Sequence, residues 1–283
     1  MSPAAAPQSH RAGPDLAEEA TELRRDLVEA LYAAGGGHYG GSLSVLDILL
    51  TLYRRQLRIR PEALDDPSRD RLILSKGHAA LALYTVQRRL GFYDHALGAY
   101  GSAVSPLEGH PDREALPAVE FSTGSLGQGL AVGLGMALAL RGQGPRVWVV
   151  LGDGECQEGQ VWEAAMLAAR HGADGLTAVI DANGYQEWGW AGAGDARPVP
   201  DLAAKLAAFG WQVGECDGHD HAALARAFER AVAVRGQPAA VVAHTIKGKG
   251  VALAEGDPVR FHCTEVSVGE QRVIVEQLAG DGR

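Results

Sequence analysis

Two strand-like apolar runs, residues 146–151 and 176–181, each end in a turn that carries a hard oxygen ligand, and a helical stretch, residues 160–171, lies between them. Strand, helix and strand in that order form a βαβ unit. Its crossover makes the two strands parallel and puts their C-terminal ends on one edge of the sheet. Ligands of open α/β sheets sit in the crevice at that edge. The first turn is Gly152-Asp153-Gly154 and the second is Asp181-Ala182-Asn183-Gly184. The Asp153 carboxylate, the Asn183 amide oxygen and the main-chain carbonyl of Tyr185 would give Mg²⁺ the protein share of an octahedral oxygen shell, with phosphate oxygens and water completing it. Glycines on both sides of Asp153 let the main chain turn sharply and bring N–H groups near a phosphate. Gly-Asp-Gly by itself is an ordinary strand-to-helix turn; the spacing to Asn183 and the strand context are what point to a diphosphate–Mg²⁺ site.

The rest of the chain is consistent with an α/β protein whose parallel central sheet has helices on both faces. At 283 residues and 46% hydrophobic, it is long enough to bury a full core. A net charge of −9 argues against a nucleic-acid or anionic-membrane surface as partner. Cys156, Cys216 and Cys263 form no CxxC pair, so neither a zinc site nor a disulfide framework is indicated, and a reducing cytoplasm fits. Residues 1–14 are rich in Ala and Pro, lack an apolar signal core and read as a disordered tail. The longest apolar run, residues 130–140, is too short to span a membrane.

Along the chain, helical spacing covers residues 16–34 and 44–55, with Ser42 or Ser44 as the cap of the second helix. The glycine-rich stretch 35–41 between them reads as neither helix nor strand. A short strand, 71–74, runs into Ser75-Lys76-Gly77-His78 and a helix at 79–90. Residues 101–117 form a long Pro/Gly-punctuated loop, a kind of segment that is often functional. Residues 121–129 open a buried helix reaching about Arg141. Later elements are helices at 201–209 and 219–235, a short strand at Trp211 and a last strand at 239–244. No repeat or linker divides residues 15–283, which read as one domain.

Five of the ten histidines, His38, His78, His110, His244 and His262, sit in loops marked by glycine or proline. One such histidine is usually a solvated side chain. Five beside turns that admit close backbone approach suggest a site where protons move and hydroxyl or phosphate oxygens are held. His10, His95, His171, His219 and His221 lack that setting and read as structural or solvated.

These loops carry a close resemblance. In order, the chain has Gly37-His38-Tyr39-Gly40-Gly41-Ser42, Ser75-Lys76-Gly77-His78, Gly109-His110-Pro111 and Ser122-Thr123-Gly124-Ser125-Leu126-Gly127-Gln128-Gly129. Gly152-Asp153-Gly154 through Glu158, then Asn183, and Thr245-Ile246-Lys247-Gly248-Lys249-Gly250 complete the set. The set resembles the thiamine diphosphate-binding, N-terminal subunit of a split transketolase and covers nearly all of the chain after the tail. The resemblance implies that Asp153, Asn183 and the Tyr185 carbonyl hold Mg²⁺ and that Gly154 contacts the diphosphate. His78 and the turn Gly124-Ser125-Leu126 would line the cofactor. His38 and His110 would face substrate hydroxyls, and His262 would stand near the reacting carbon. Glu158 would lie at a subunit interface beside the cofactor, linking paired active sites.

The resemblance also implies a partner. In this family the glutamate that activates the cofactor's aminopyrimidine ring belongs to a second, pyrimidine-binding domain, followed by a C-terminal domain, and neither is expected within residues 15–283. A separately encoded C-terminal transketolase subunit would supply them, giving a heterotetramer that acts on small ketose and aldose substrates. Two departures stand out. Phe261-His262-Cys263-Thr264-Glu265-Val266 replaces the usual Trp-His-Gly-Lys-Ala-Pro, keeping the histidine but losing the Gly and Lys. Gln186-Glu187-Trp188-Gly189-Trp190 lacks the usual Asp-Gly ending. Cys263 next to His262 reads as a plain thiol, because neighbouring residues in an extended loop rarely face each other. Other readings are the alpha chain of a 2-oxoacid dehydrogenase, a deoxyxylulose-phosphate synthase and a non-catalytic module that has kept the fold. A nicotinamide dehydrogenase fails for want of a strand before Gly124 and an acidic ribose ligand after it.

Overall fold

The short apolar runs of the sequence enter one sheet. The structure, a computed structural model, describes residues 15–187 and 197–280. Its strands are β1 (Arg71–Leu74), β2 (Val147–Gly152), β3 (Leu176–Ala182), β4 (Gln212–Asp217) and β5 (Ala239–His244). They pair in the order β1-β2-β3-β5-β4, all parallel. The helices are α1 (Leu16–Ala33), α2 (Tyr39–Thr51), α3 (Ala80–Arg89), α4 (Gln128–Ala139), α5 (Gly159–Arg170), α6 (Leu202–Ala208), α7 (His221–Ala233), α8 (Ala252–Gly256) and α9 (Val268–Gly280).

Strand residues divide between two cores with period two. Trp148, Val150, Val179, Ala239, Val241 and Ala243 join the core built with α1, α2, α3, α7 and α9. Val147, Val149, Leu151, Ala178, Ile180, Ala240 and Val242 join the opposite core, built with α4, α5 and α6. Both faces are therefore dry, which explains why β2, β3 and β5 read as continuous apolar runs rather than alternating ones. The register sets Gly152 beside Asp181 and Ala182 beside His244, so β2, β3 and β5 end at a common level. That level is the floor of the candidate site.

Glycines set the distance between α4 and the sheet. A Cβ added at Gly133 would lie 2.4 Å from Val149 Cγ2, so the helix rests directly on β2. Only one side of α4 is covered: Gly129, Leu130, Gly133, Leu134 and Ala137 are buried. The helix expected to be buried is thus buried on one face.

The stretch 35–41 is corrected in part. Gly35, Gly36 and Gly37 have positive φ and stay outside any helix, but Tyr39, Gly40 and Gly41 form the first turn of α2, with His38 at its N-cap. A Cβ at Gly40 would meet Phe261 O at 2.9 Å, so the bare backbone lets α2 start close under the loops that follow β5. Ser44 is consequently not a cap; its hydroxyl donates to Gly41 O and to Asp181 Oδ2. The strand expected at Trp211 is β4, on the sheet edge, and helices α8 and α9 have no counterpart in the sequence reading. Residues 1–14 and the stretch Trp188-Gly189-Trp190 lie outside the described residues. Among the described residues no helix is long and apolar enough to cross a membrane.

Candidate active site

The C-terminal edge of the sheet opens into a cavity of about 390 Å³. Gly152, Asp153, Gly154 and Asn183 line it from the strand ends, His78 and Gly124 from the loops after β1 and before α4, and Lys247 and His262 from the loops after β5.

At the floor, the buried Asp153 carboxylate accepts from two backbone N–H groups, Gly184 at 2.7 Å and Gly154 at 2.9 Å, on separate oxygens. Burial, aided by the charge of Asp181, pushes its carboxyl up to about 7, against the opposing pull of those N–H groups and of Lys76. Asn183 accepts from Tyr185 N–H at 3.1 Å through Oδ1 and donates to Ser44 Oγ at 3.2 Å through Nδ2, which orients the amide. Each carboxylate oxygen and the amide oxygen keeps a free lone pair. The donor set at the floor is thus one buried carboxylate and one oriented amide oxygen, both hard oxygen donors. Among the described residues there is no cluster of three His, Cys, Asp or Glu able to hold a metal alone. Such a set suits a hard cation that takes its other ligands from phosphate and water.

Behind the floor lies a charge pair that the sequence reading missed. Lys76 Nζ sits 2.5 Å from Asp181 Oδ2 and 3.1 Å from Gly41 O, and both side chains are essentially inaccessible. Thr245 Oγ1 also donates to Asp181. Glu155, likewise missed, is a buried brace: it accepts from Ser75 Oγ, from Gly127 N–H at 2.9 Å and from Gly152 N–H at 3.1 Å. Burial raises its carboxyl despite these donors. Glu155 therefore ties the turn before α4 to the Gly-Asp-Gly turn.

Four of the five loop histidines converge. The His38 ring lies 5.4 Å from His78, 6.3 Å from His110 and 5.6 Å from His262, and His78 stacks on His262 at 5.4 Å. Local structure explains each approach. Gly37 and Thr264 exchange backbone hydrogen bonds of 3.0 and 3.1 Å, bringing the His38 and His262 loops together. Tyr84 Oη donates to His110 O at 3.1 Å. Gly124 lies so close to the His110 ring that an added Cβ would be 3.0 Å from Cδ2. Burial, with the neighbouring His110, Lys76 and Lys247, lowers His38 to about 4. Burial, then Lys247, lowers His262 to about 3, and burial with Lys76 takes His78 well below its ordinary value. These three rings are neutral at pH 7.

Lys247 closes the set. Its side chain is buried, and Nζ donates to Gln186 O at 3.1 Å and His262 Nδ1 at 3.0 Å, which leaves the His262 ring proton on Nε2. Burial, then the charge of Lys76, lowers its ammonium to about 8, so it remains mostly charged at neutral pH. The Lys-Gly-Lys-Gly motif was visible in the sequence, but which lysine turns inward was not. His244 does not join the cluster; it is exposed at the end of β5, 2.8 Å from Glu215. Glu158 is exposed and lines the cavity, Leu126 lines it as well, and Ser125 between Gly124 and Leu126 is exposed and does not line it. Cys263 is exposed, and partial burial with the charge of Glu187 raises its thiol, the reverse of an activated thiolate.

Comparison with known proteins gives this geometry a family. Residues 17–273 match the family described as transketolase, thiamine diphosphate binding domain. The 6-deoxy-6-sulfo-D-fructose transketolase subunit SqwG of Clostridium sp. (strain MSTE9) is 38% identical over 271 residues, covering 95% of this chain and 98% of that protein. An apulose-4-phosphate transketolase subunit of Actinobacillus succinogenes is 37% identical, covering 93% and 96%. The crystal structure of transketolase from Campylobacter jejuni superposes with a TM-score of 0.82 at 28% identity, covering 93% of this chain but 42% of that one. The chain thus matches the subunit-sized relatives end to end and spans less than half of the single-chain enzyme.

Proposed function

The chain belongs to the transketolase family, and we propose that it is the thiamine diphosphate- and Mg²⁺-binding subunit of a two-component transketolase. It would move a two-carbon ketol unit from a ketose donor to an aldehyde acceptor. Residues 15–283 would form its single diphosphate-binding domain. The observation that carries the reading is the convergence of His38, His78, His110 and His262 over a floor made by Asp153 and Asn183, at the C-terminal edge of a parallel sheet.

The residues at the floor fit the cofactor. Asp153, Asn183 and the Tyr185 carbonyl would hold Mg²⁺, relieving the cost of the buried Asp153 charge. Gly154 and Lys247 would meet the diphosphate, the first through its bare backbone and the second with an ammonium. His78 and Gly124-Ser125-Leu126 would line the cofactor, with Glu158 at the rim where the partner chain meets it. Bound thiamine diphosphate supplies the nucleophilic carbon for breaking and making carbon–carbon bonds beside a carbonyl. The histidines hold and orient the sugar. A neutral His262 with its proton on Nε2 would donate a hydrogen bond, and His38 and His110 would exchange protons with substrate hydroxyls.

The reading includes a partner. Relatives of matching length are named as subunits, and a separately encoded chain bearing the pyrimidine-binding and C-terminal domains would complete each site. Two copies of each would give a two-fold-symmetric heterotetramer in the cytoplasm. Isothermal titration with thiamine diphosphate and Mg²⁺ tests the floor. Asp153→Ala should abolish binding, because it removes the charged ligand, whereas Asn183→Ala should only weaken it, since water can replace a neutral donor. Undiminished affinity in Asp153→Ala would overturn the assignment.

A further inference from the structure

Lys247 reaches the cavity from a loop, residues 245–250, whose backbone is fastened at two points from outside the site. His219 Nε2 accepts from Ile246 N–H at 2.8 Å. Arg24 Nε donates to Lys249 O at 3.2 Å. Both fasteners end on one carboxylate: His219 Nδ1 lies 2.6 Å from Asp47 Oδ2, and Arg24 Nη2 pairs with the same oxygen. Asp47 sits on α2 and is buried, with 2% of its side chain exposed, and His219 is 10% exposed. His221 adds a third contact, with Nε2 3.5 Å from Asp47 Oδ1 and Nδ1 2.7 Å from Thr51 Oγ1.

The tautomer of His219 follows from its partners. A backbone N–H can only donate, so Nε2 must be bare, and the ring proton sits on Nδ1, where it meets Asp47. The carboxylate thereby fixes which nitrogen faces the loop. Burial alone would raise the Asp47 carboxyl, but the hydrogen bond from His219 and the charge of Arg24 outweigh it and hold it below the ordinary range. None of Asp47, His219 and Arg24 lines the cavity; the cluster reaches it through the loop 245–250 and through the first turns of α2, on which Asp47 stands. On the site side the same loop is tied by Gly248 N–H to Gly40 O at 3.1 Å and by Thr245 Oγ1 to Asp181.

We propose that Asp47, with His219 and Arg24, is a positioning device that braces residues 245–250 and so aims Lys247 at an anionic phosphate-bearing ligand. The consequence for the ligand rests on the diphosphate reading given above; the bracing itself does not. None of the three residues lines the cavity, so they act through Lys247 and are not catalytic.

Two variants of the full chain separate bracing from mere packing. The amide of His219→Asn occupies the place of Nδ1, keeps a donor for Asp47 and loses the acceptor for Ile246. The longer His219→Gln puts a carbonyl oxygen where Nε2 stood and keeps that acceptor; it gives up the donor to Asp47, to which Arg24 still ties the loop. One lost hydrogen bond of ordinary net strength corresponds to roughly a tenfold effect. Amide hydrogen exchange over residues 245–250 in the ligand-free chain should therefore quicken about tenfold in His219→Asn and stay near wild type in His219→Gln. Titration with thiamine diphosphate and Mg²⁺ should weaken by a similar factor in the first variant only. Equal protection of the loop in His219→Asn and wild type, or equal losses in both variants, overturns the proposal. Faster exchange with unchanged affinity overturns the part concerning the ligand. A wild-type chain that binds no thiamine diphosphate would sink the functional reading, while the exchange data would still decide the bracing.

Discussion

Lys76→Met tests whether the floor of the site depends on a buried ion pair. Lys76 and Asp181 side chains are 1% and 0% exposed, with Nζ 2.5 Å from Oδ2. Removing the ammonium leaves a carboxylate at the end of a central strand, next to the carboxylate of Asp153. Losing one partner of a buried pair costs about 3–5 kcal/mol, most of it the uncompensated charge. Asp181 would retain hydrogen bonds from Ser44 Oγ, at 2.6 Å, and Thr245 Oγ1, which places the expected loss at the lower end. A loss of about 3 kcal/mol lowers the melting midpoint of a chain this size by roughly 6–12 °C. Methionine matches the lysine stem, so little of the change is packing. The double variant Lys76→Met/Asp181→Asn removes both charges and keeps the hydroxyl partners, and should recover about 2 kcal/mol or more of the loss. Urea unfolding followed by circular dichroism gives both numbers. A single variant within about 1 kcal/mol of wild type, or a double variant no better than the single one, would refute the reasoning.

Other expectations follow from packing and protonation. Gly133→Ala forces a Cβ to 2.4 Å from Val149 Cγ2 and should cost about 1–3 kcal/mol. Gly135→Ala, on the uncovered side of the same helix with nothing within 4 Å, should stabilise by up to about 1 kcal/mol through helix propensity; the pair is read from melting midpoints. His38 and His262 are lowered from 6.5 to about 4 and about 3. A base whose folded value is depressed contributes stability that is fully present above pH 6.5 and is lost as pH falls toward those values, because the unfolded chain takes up protons first. Asp153, raised to about 7, works in the opposite sense over this window, but the three lowered histidines His38, His78 and His262 outweigh it. Urea midpoints of the ligand-free chain should therefore drop between pH 7 and pH 4, and His262→Gln should flatten the drop. An identical slope in the variant would contradict the lowered value.

Elements whose signal is local were legible in the sequence. The strands β1 and β5 end where the apolar runs end, and α5 and α7 lie within about a turn of their periodic stretches. The start of α2 was not, because Tyr39-Gly40-Gly41 is poor in helix propensity. What those glycines serve is the close approach of Phe261, which is distant in sequence. Helix α9 went unread for a related reason: it buries only Gln271, Ile274 and Leu278, so its periodic signal is thin.

Site residues divide along the same line. Asp153, Asn183 and the four converging histidines stand beside turns, and a turn residue announces itself. His244 shows the limit of that rule, since the end of a strand placed it near the site but the edge strand β4 supplied Glu215 as its partner. Glu155, Lys76 and Asp47 carry charge in helical or strand-adjacent settings where a solvated side chain is the ordinary expectation. Only burial distinguishes them, and burial comes from the crossing of elements that are distant in sequence. What sequence reading finds here is the set of groups that meet a ligand; what it misses is the set of charges that hold those groups still. The second set is invisible one residue at a time because each member is defined by its partner: Lys76 by Asp181, His219 by Asp47, Glu155 by the backbone of Gly127 and Gly152.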